Sequence, residues 1–363
     1  MDNRWSLLAH QLIRGLDITS NTKVSMFMTD FRCMEAVSAF VAECYKVGAL
    51  PQVMATDERF DRFAQEFASD ETLGSPAGLE VAAMEWADVH VSFRGMVTPD
   101  FDVDQRKIAL QRKGKGIVST KRWQQTRWCI VRVPSIEWSN MINVDHEELL
   151  LEFFDSSIAD WGKIGDLQLS LCDRLAEVSQ IRILSRDSDL VLGVAERRWL
   201  SFAGKMNLPD GEVATAPIET SVNGHIKFPG VFWFSGVAIR DLILYFEGGK
   251  VVSFSATEGA DLVSAVLETD DGSRHLGEIG IGTNPNMKTL TGDLLLDEKI
   301  LGTVHIALGR AYPDSLGVNE SALHWDIVKD LREQGCFLFA DDLELISNGE
   351  LKVPLANFSN LRK

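Results

Sequence analysis

Hydrophobic spacing changes character near residue 195, and this change restricts the fold more than any other feature of the chain. In the first half, short apolar runs alternate with stretches of helical period. Residues 23–28 read as a buried strand. Met34, Val37, Phe40, Val41 and Cys44 then recur at three- and four-residue steps, Gly48 marks a stop, and residues 50–54 form the next apolar run. This strand–helix–strand unit suggests a parallel sheet with helical crossovers, since parallel neighbours need a long return connection. Thr29 and Asp30 are candidate caps for the helix between them. A helix over 78–86 and strands over 89–93 and 128–133 continue the pattern, Pro134 ending the last. Helices follow over 149–154 and 167–178, then strands over 180–184 and 190–194 around SRDSD. The basic run QRKGKG, with Lys113 and Lys115, reads as a solvated loop rather than a phosphate site.

From about Arg197 helical spacing largely disappears. Glycines become frequent, and short alternating segments dominate, at 250–255, 302–307, 323–327 and 337–339. The fold class expected is α/β: an N-terminal α/β domain with a mostly parallel sheet over 1–195, then a β-rich α+β domain over 196–363.

Composition narrows the function. A formal net charge of −17 argues against nucleic acid as a partner, since a phosphate-binding face needs clustered Lys and Arg. Cys33, Cys44, Cys129, Cys172 and Cys336 are odd in number and never spaced as CxxC, which fits a reducing compartment. The opening MDNRWSLLAHQL has charges and no long apolar core, so no signal peptide is expected. The longest apolar stretch, 231–246, is broken by Arg240 and Asp241, against a membrane span. A cytoplasmic protein is the expectation.

Five side chains of the second half are candidate metal ligands: Glu212, Glu278, His305, His324 and Asp326. Each alone has an ordinary reading, as a turn carboxylate or a hydrogen-bonded strand histidine. In LHWDIV, however, Leu323, Trp325 and Ile327 alternate with His324 and Asp326, so a strand places imidazole and carboxylate on one face. That pairing is a natural half-site for Zn²⁺, Co²⁺, Mn²⁺ or Fe²⁺. His305 lies in TVHIALGRAYP, Glu212 follows a Pro-Asp-Gly turn, and Glu278 lies in LGEIGIG among three glycines. That glycine order is not a dinucleotide fingerprint.

The segments NLPDGEVATAPIETSVNG, LGEIGIGTNPNM, TVHIALGRAYP and LHWDIVKDLR, in this order, resemble the aminopeptidase T / AmpS family of metallopeptidases. The likeness is close in the C-terminal half and textural in the first. It implies two divalent metal ions, zinc, cobalt or manganese, held by Glu212, Glu278, His305, His324 and Asp326. It also implies hydrolysis of the N-terminal residue of small peptides, and a homodimer. Tyr312, seven residues after His305, is implied as a hydrogen-bond donor to the developing oxyanion. Glu219 is open to two readings, a general base or a cap on the SVNG turn. After HxD the chain runs IVKDLR where some members have an FMIG-like stretch, which leaves side-chain preference undetermined. Two other activities are compatible with this ancestry. One is a mononuclear iron dioxygenase that opens hydroxypyridine rings, where His stands at the position of Glu278. The other is a metal-dependent hydrolase of a non-peptide amide.

Overall fold

The computed structural model describes residues 3–95, 104–352 and 361. Two compact units divide the chain: residues 1–159 with 204–210, and residues 160–203 with 211–363.

The first unit is the expected α/β domain. Its sheet runs in the order Leu50–Ala55, Lys23–Met28, Val89–Arg94, Arg127–Arg132, Asn207–Leu208, every neighbouring pair parallel. The central strands are buried on both faces, as parallel strands covered by crossover helices must be. Helix Met34–Lys46 turns Val37, Phe40 and Cys44 inward. Asp30 does cap, but the turn it caps is the short 3-10 helix Phe31–Cys33, through a bond from the Arg32 N–H. Asn3–Gly15 is also helical, burying Trp5, Leu8 and Leu12 on one face.

The QRKGKG run is not a loop. It lies inside the helix Gln105–Gln125, capped by Asp104, whose side chain accepts from the Arg106 N–H. Gly114 is there for contact: a Cβ would stand 2.6 Å from the Ser75 carbonyl oxygen. Lys115 bonds Asp61. Sequence spacing hid the helix because its exposed face is basic and its apolar residues are few.

The second unit holds two antiparallel sheets. Eight strands run in the order Lys250–Ser255, Val237–Glu247, Asn223–Phe234, Ser188–Gly193, Gln180–Ser185, Phe337–Ala340, Leu343–Ser347, Glu350–Leu351. Five more run His324–Asp330, Thr303–Gly309, Leu276–Gly282, Glu212–Thr215, Leu200–Phe202. The division of the chain therefore precedes the change of texture near 195. The hairpin of Gln180–Ser185 and Ser188–Gly193 pairs with Phe337–Ala340 and Asn223–Phe234, which ties it to the second unit. Helix Trp161–Leu175 goes with it: Gln168 Nε2 donates to Thr283 Oγ1 at 2.9 Å. Its helical period matches that of helices in the first unit, so spacing gave no sign of which sheet it covers. The return of residues 204–210 adds a two-residue parallel strand, too short to carry a period.

Among the described residues no helix is long and apolar enough to cross a membrane. All five cysteines are free and buried.

Candidate metal centre

The five-stranded sheet brings the five candidate ligands to one face. Directly paired residues in an antiparallel ladder point the same way. Glu212 pairs with Gly282, His305 with Gly280, and His324 with Gly309, while Ala307 pairs with Glu278 on one side and Asp326 on the other. The alternate residues, Val304, Ile306, Leu308, Trp325 and Ile327, turn to the other face and are buried. Each ligand thus faces a glycine or alanine on at least one side of the ladder, although His305 also pairs with Val328 and Glu212 with Phe202. At Gly280 the small residue is essential: a Cβ would lie 2.1 Å from Cε1 of His305. Gly211 has φ of 120° and turns the chain into the Glu212 strand, a conformation that side chains disfavour.

Two groups of potential ligand atoms result, each with its atoms within 4.8 Å of one another: Glu278, His324 and Asp326, and Glu212, Glu298 and His305. The groups touch, since His305 Nε2 lies 3.2 Å from Glu278 Oε1 and 3.4 Å from Glu212 Oε2. His324 Nε2 is 3.4 Å from Asp326 Oδ1. Its Nδ1 lies 2.8 Å from the Arg310 carbonyl oxygen, which orients the ring and frees Nε2 for an ion.

Charge in this cluster sets the proton affinities. Burial lowers that of His305, but the Glu278 hydrogen bond and the Glu212 and Glu278 charges outweigh it, and the net shift is upward. His324 is likewise raised, burial opposing and Asp326 prevailing. For Asp326 burial works to raise the carboxyl, yet His324 and the other nearby cations hold it well below the ordinary range.

Glu298 and Lys299 were not foreseen. Both are buried in the turn after the short helix Leu294–Asp297. Lys299 Nζ lies 2.6 Å from Glu212 Oε1 and 2.7 Å from Glu298 Oε1. Removing one member of such a buried set leaves an uncompensated charge, a loss of about 3–5 kcal/mol. Burial pushes the Glu298 carboxyl well up, with Lys299 opposing and Asp326 and Glu212 adding to the rise. The available signal was the charged triplet Asp297-Glu298-Lys299 inside the apolar run LLLDEKIL, where a solvated face would not place it.

Tyr312 and Glu219 separate. The Tyr312 ring stands edge-on to His324, centroids 5.1 Å apart, so it borders the ligands. Glu219 is in neither ligand group. One of its oxygens pairs with Arg197 at 2.6 Å and the other accepts from the Val318 N–H at 2.9 Å. Both oxygens are thereby held in ties to other chain segments.

The donor set suits divalent cations. Glu212 Oε2 and Glu298 Oε2 are buried with no hydrogen-bond partner among the described residues, as is His305 Nδ1. Buried carboxylate oxygens normally find a donor, and a dication is the ligand that oxygens and imidazole nitrogens satisfy together.

Residues 6–336 match the model of the thermophilic metalloprotease (M29) family. The chain belongs to this family. Membership in M29 makes it a metal-dependent hydrolase. Aminopeptidase 2 of Geobacillus stearothermophilus is 25% identical over 324 residues, 75% of this chain and 78% of that protein. Aminopeptidase T of Thermus aquaticus is 34% identical over 164 residues, 38% of this chain and 40% of its own length. Among solved structures, wild-type AmpT from Thermus thermophilus aligns with a TM-score of 0.81 at 22% identity, covering 97% of this chain and 99% of that one. A 2,5-dihydroxypyridine dioxygenase from Pseudomonas putida KT2440 aligns with a TM-score of 0.60 at 15% identity, covering 98% of each chain. At these identities both structures attest a shared fold, and that fold is the α/β plus β-rich arrangement expected from the sequence.

Proposed function

We propose that this M29 protein is an aminopeptidase that removes the N-terminal residue of small peptides, using two divalent ions (zinc, cobalt or manganese) held by Glu212, Glu278, His305, His324 and Asp326. The observation that carries the reading is the gathering of these five side chains on one sheet face, with buried carboxylate oxygens left without donors. Relatives bearing the name aminopeptidase support the substrate class. These residues would hold the ions, which when bound would supply Lewis-acid polarisation of a scissile carbonyl and a water whose pKa is lowered to about 7.

The chain's own groups supply the remainder. His324 is fixed by the Arg310 carbonyl oxygen, so its Nε2 stays aimed at the cluster without reorganisation. The phenol of Tyr312, whose ring stands beside His324, would donate a hydrogen bond to the oxyanion that forms on the attacked carbonyl. The glycine and alanine rows keep the sheet face open above the ligands. A homodimer in a cytoplasmic setting completes the reading; the five free cysteines support the compartment.

The dioxygenase reading loses support at Glu278. This carboxylate groups with His324 and Asp326, where the resemblance to one-iron enzymes implies a second imidazole. The test is a panel of amino-acid amides and short peptides assayed with Zn²⁺, Co²⁺ and Mn²⁺ added separately. Release of N-terminal residues with about two ions per chain is expected. Turnover of non-peptide amides alone, or oxygen uptake with one iron, would replace the proposal.

A further inference from the structure

Tyr312 sits on a long connection. Residues 310–323 join the strands Thr303–Gly309 and His324–Asp330, which carry His305, His324 and Asp326. A surface connection is mobile unless something holds it, and an oxyanion donor works only when it is already in place. The return to the second strand is fixed locally. The Asn319 side-chain amide donates to the carbonyl oxygens of Gly272 and Gly309, and Asp270 accepts from Ser321 Oγ and the Ala322 N–H. Ser315 closes a turn on the Tyr312 carbonyl oxygen through its N–H at 3.0 Å and its Oγ at 2.6 Å.

The middle of the connection is held from outside. Glu219 Oε1 accepts from the Val318 N–H at 2.9 Å, and Glu219 Oε2 pairs with Arg197 Nη2 at 2.6 Å. The other terminal nitrogen of Arg197 donates to the Leu316 carbonyl oxygen. One ion pair thus takes both peptide groups that flank Gly317, and the neighbouring Arg198 N–H takes the Ser315 carbonyl oxygen at 3.3 Å. Gly317 is pressed inward at that point. A Cβ there would stand 2.5 Å from Ala311 Cβ, next to Tyr312, and 2.6 Å from Ala216 Cβ, just after the strand Glu212–Thr215. Leu316 has φ of 66°, a conformation that an unheld leucine seldom keeps. The Arg197 and Glu219 side chains are only 12% and 22% exposed, so salt screens them less than a surface pair.

We propose that Arg197 and Glu219 are positioning residues for Tyr312: their ion pair clamps Leu316–Val318 and so fixes the phenol beside the ligand cluster before substrate binds. The inference rests on the aminopeptidase reading above and adds to it the device that preorganises the oxyanion donor. Displacing a reacting group by about 1 Å can cost about 10²-fold in rate. Because the donor acts only in the transition state, its displacement lowers kcat and leaves substrate binding alone. The loss cannot exceed that of removing the phenol outright. A general base at Glu219 is the competing outcome, and it differs in its kinetics, since its loss would add to that of the phenol.

The experiment pairs hydrogen exchange of the metal-free chain, read on fragments spanning residues 312–318, with steady-state kinetics of the metal-loaded protein on amino-acid amides. Arg197→Met and Glu219→Gln should each speed exchange in those fragments at least about tenfold and leave the other fragments unchanged. Each should lower kcat by about 10- to 10²-fold at unchanged KM and metal content. In a Tyr312→Phe background the same substitutions should cost less than about twofold more, because the group they position is already gone. Gly317→Ala, which displaces the connection without altering a charge, should behave in the same way. If the melting curve shows Arg197→Met unfolded, Glu219→Gln and Gly317→Ala carry the test. Unchanged exchange overturns the clamp. Losses that multiply with that of Tyr312→Phe overturn the positioning role, and loss of the acid limb of the pH–rate profile in Glu219→Gln alone makes that residue the general base instead. If the unaltered protein releases no N-terminal residue, the aminopeptidase reading fails, whereas faster exchange in the variants still upholds the clamp.

Discussion

Two buried strand histidines, one in each unit, meet opposite fates. His90 lies in the parallel sheet and His305 in the five-stranded antiparallel sheet, each 1% exposed. His90 has a hydroxyl and a ring for company, with Nδ1 2.7 Å from Ser25 Oγ and its ring edge-on to Phe27 at 4.5 Å. Burial, aided by the positive charges of Arg122 and Arg94, pushes its proton affinity well down, so it is a neutral packing residue. His305 is as deeply buried but stands among carboxylates, which reverse the shift. Burial alone makes a structural histidine. Burial beside acids with unspent oxygens gives His305 the surroundings of the metal ligand proposed above.

The comparison breaks most readily at the ligands. Glu212→Ala and His324→Ala should each abolish peptide release while circular dichroism stays native; full activity in either would remove the centre from that face. Next in size is Tyr312→Phe, expected to lower turnover by about 10²–10³ with little change in metal content. Metal analysis beside kcat separates loss of the oxyanion donor from loss of the ion.

Gly280→Ala tests the space allotted to His305. The added Cβ, 2.1 Å from the ring, should destabilise the protein by about 1–3 kcal/mol and reduce metal affinity, read by thermal melts with and without Zn²⁺.

Acid and base should act on the two histidine environments with opposite sign. His305 and His324 are raised above 6.5, so in the metal-free protein their contribution to stability is complete below that pH and is lost as pH rises through their folded values. His90 is lowered, so its contribution is present above 6.5 and falls away on acidification. Melting temperatures of the metal-free chain should decline on the alkaline side. Saturating metal, which takes the deprotonated rings, should remove that decline. The smallest effect belongs to His90→Gln: unchanged peptide release and a flatter acid limb. A metal-free chain that gains stability through the neutral range would contradict the assigned charge environment of His305 and His324.

Much of this was legible in the chain because period and pairing are local. Period two in LHWDIV placed His324 and Asp326 on one face, and the 3.6-residue period around Met34 to Cys44 with its flanking apolar runs identified the parallel sheet. The ordered segments around Glu212, Glu278 and His305 gave the remaining candidate ligands, and the structure brings all five together. Other features depended on partners distant in the chain. Glu219 carries no local mark to show that its two oxygens are taken by Arg197 and Val318, and Gly114 does not announce the carbonyls it packs against.

By itself, then, the sequence determined which residue types stand at which step of which strand, because side-chain direction follows from backbone period. Only the tertiary structure decided that Gly280 lies under His305, that Lys299 joins Glu212 to Glu298, and that the helix Trp161–Leu175 belongs with the second unit. These are matters of register between strands and of charge meeting charge in a buried space, and both are set by contacts that sequence distance does not encode.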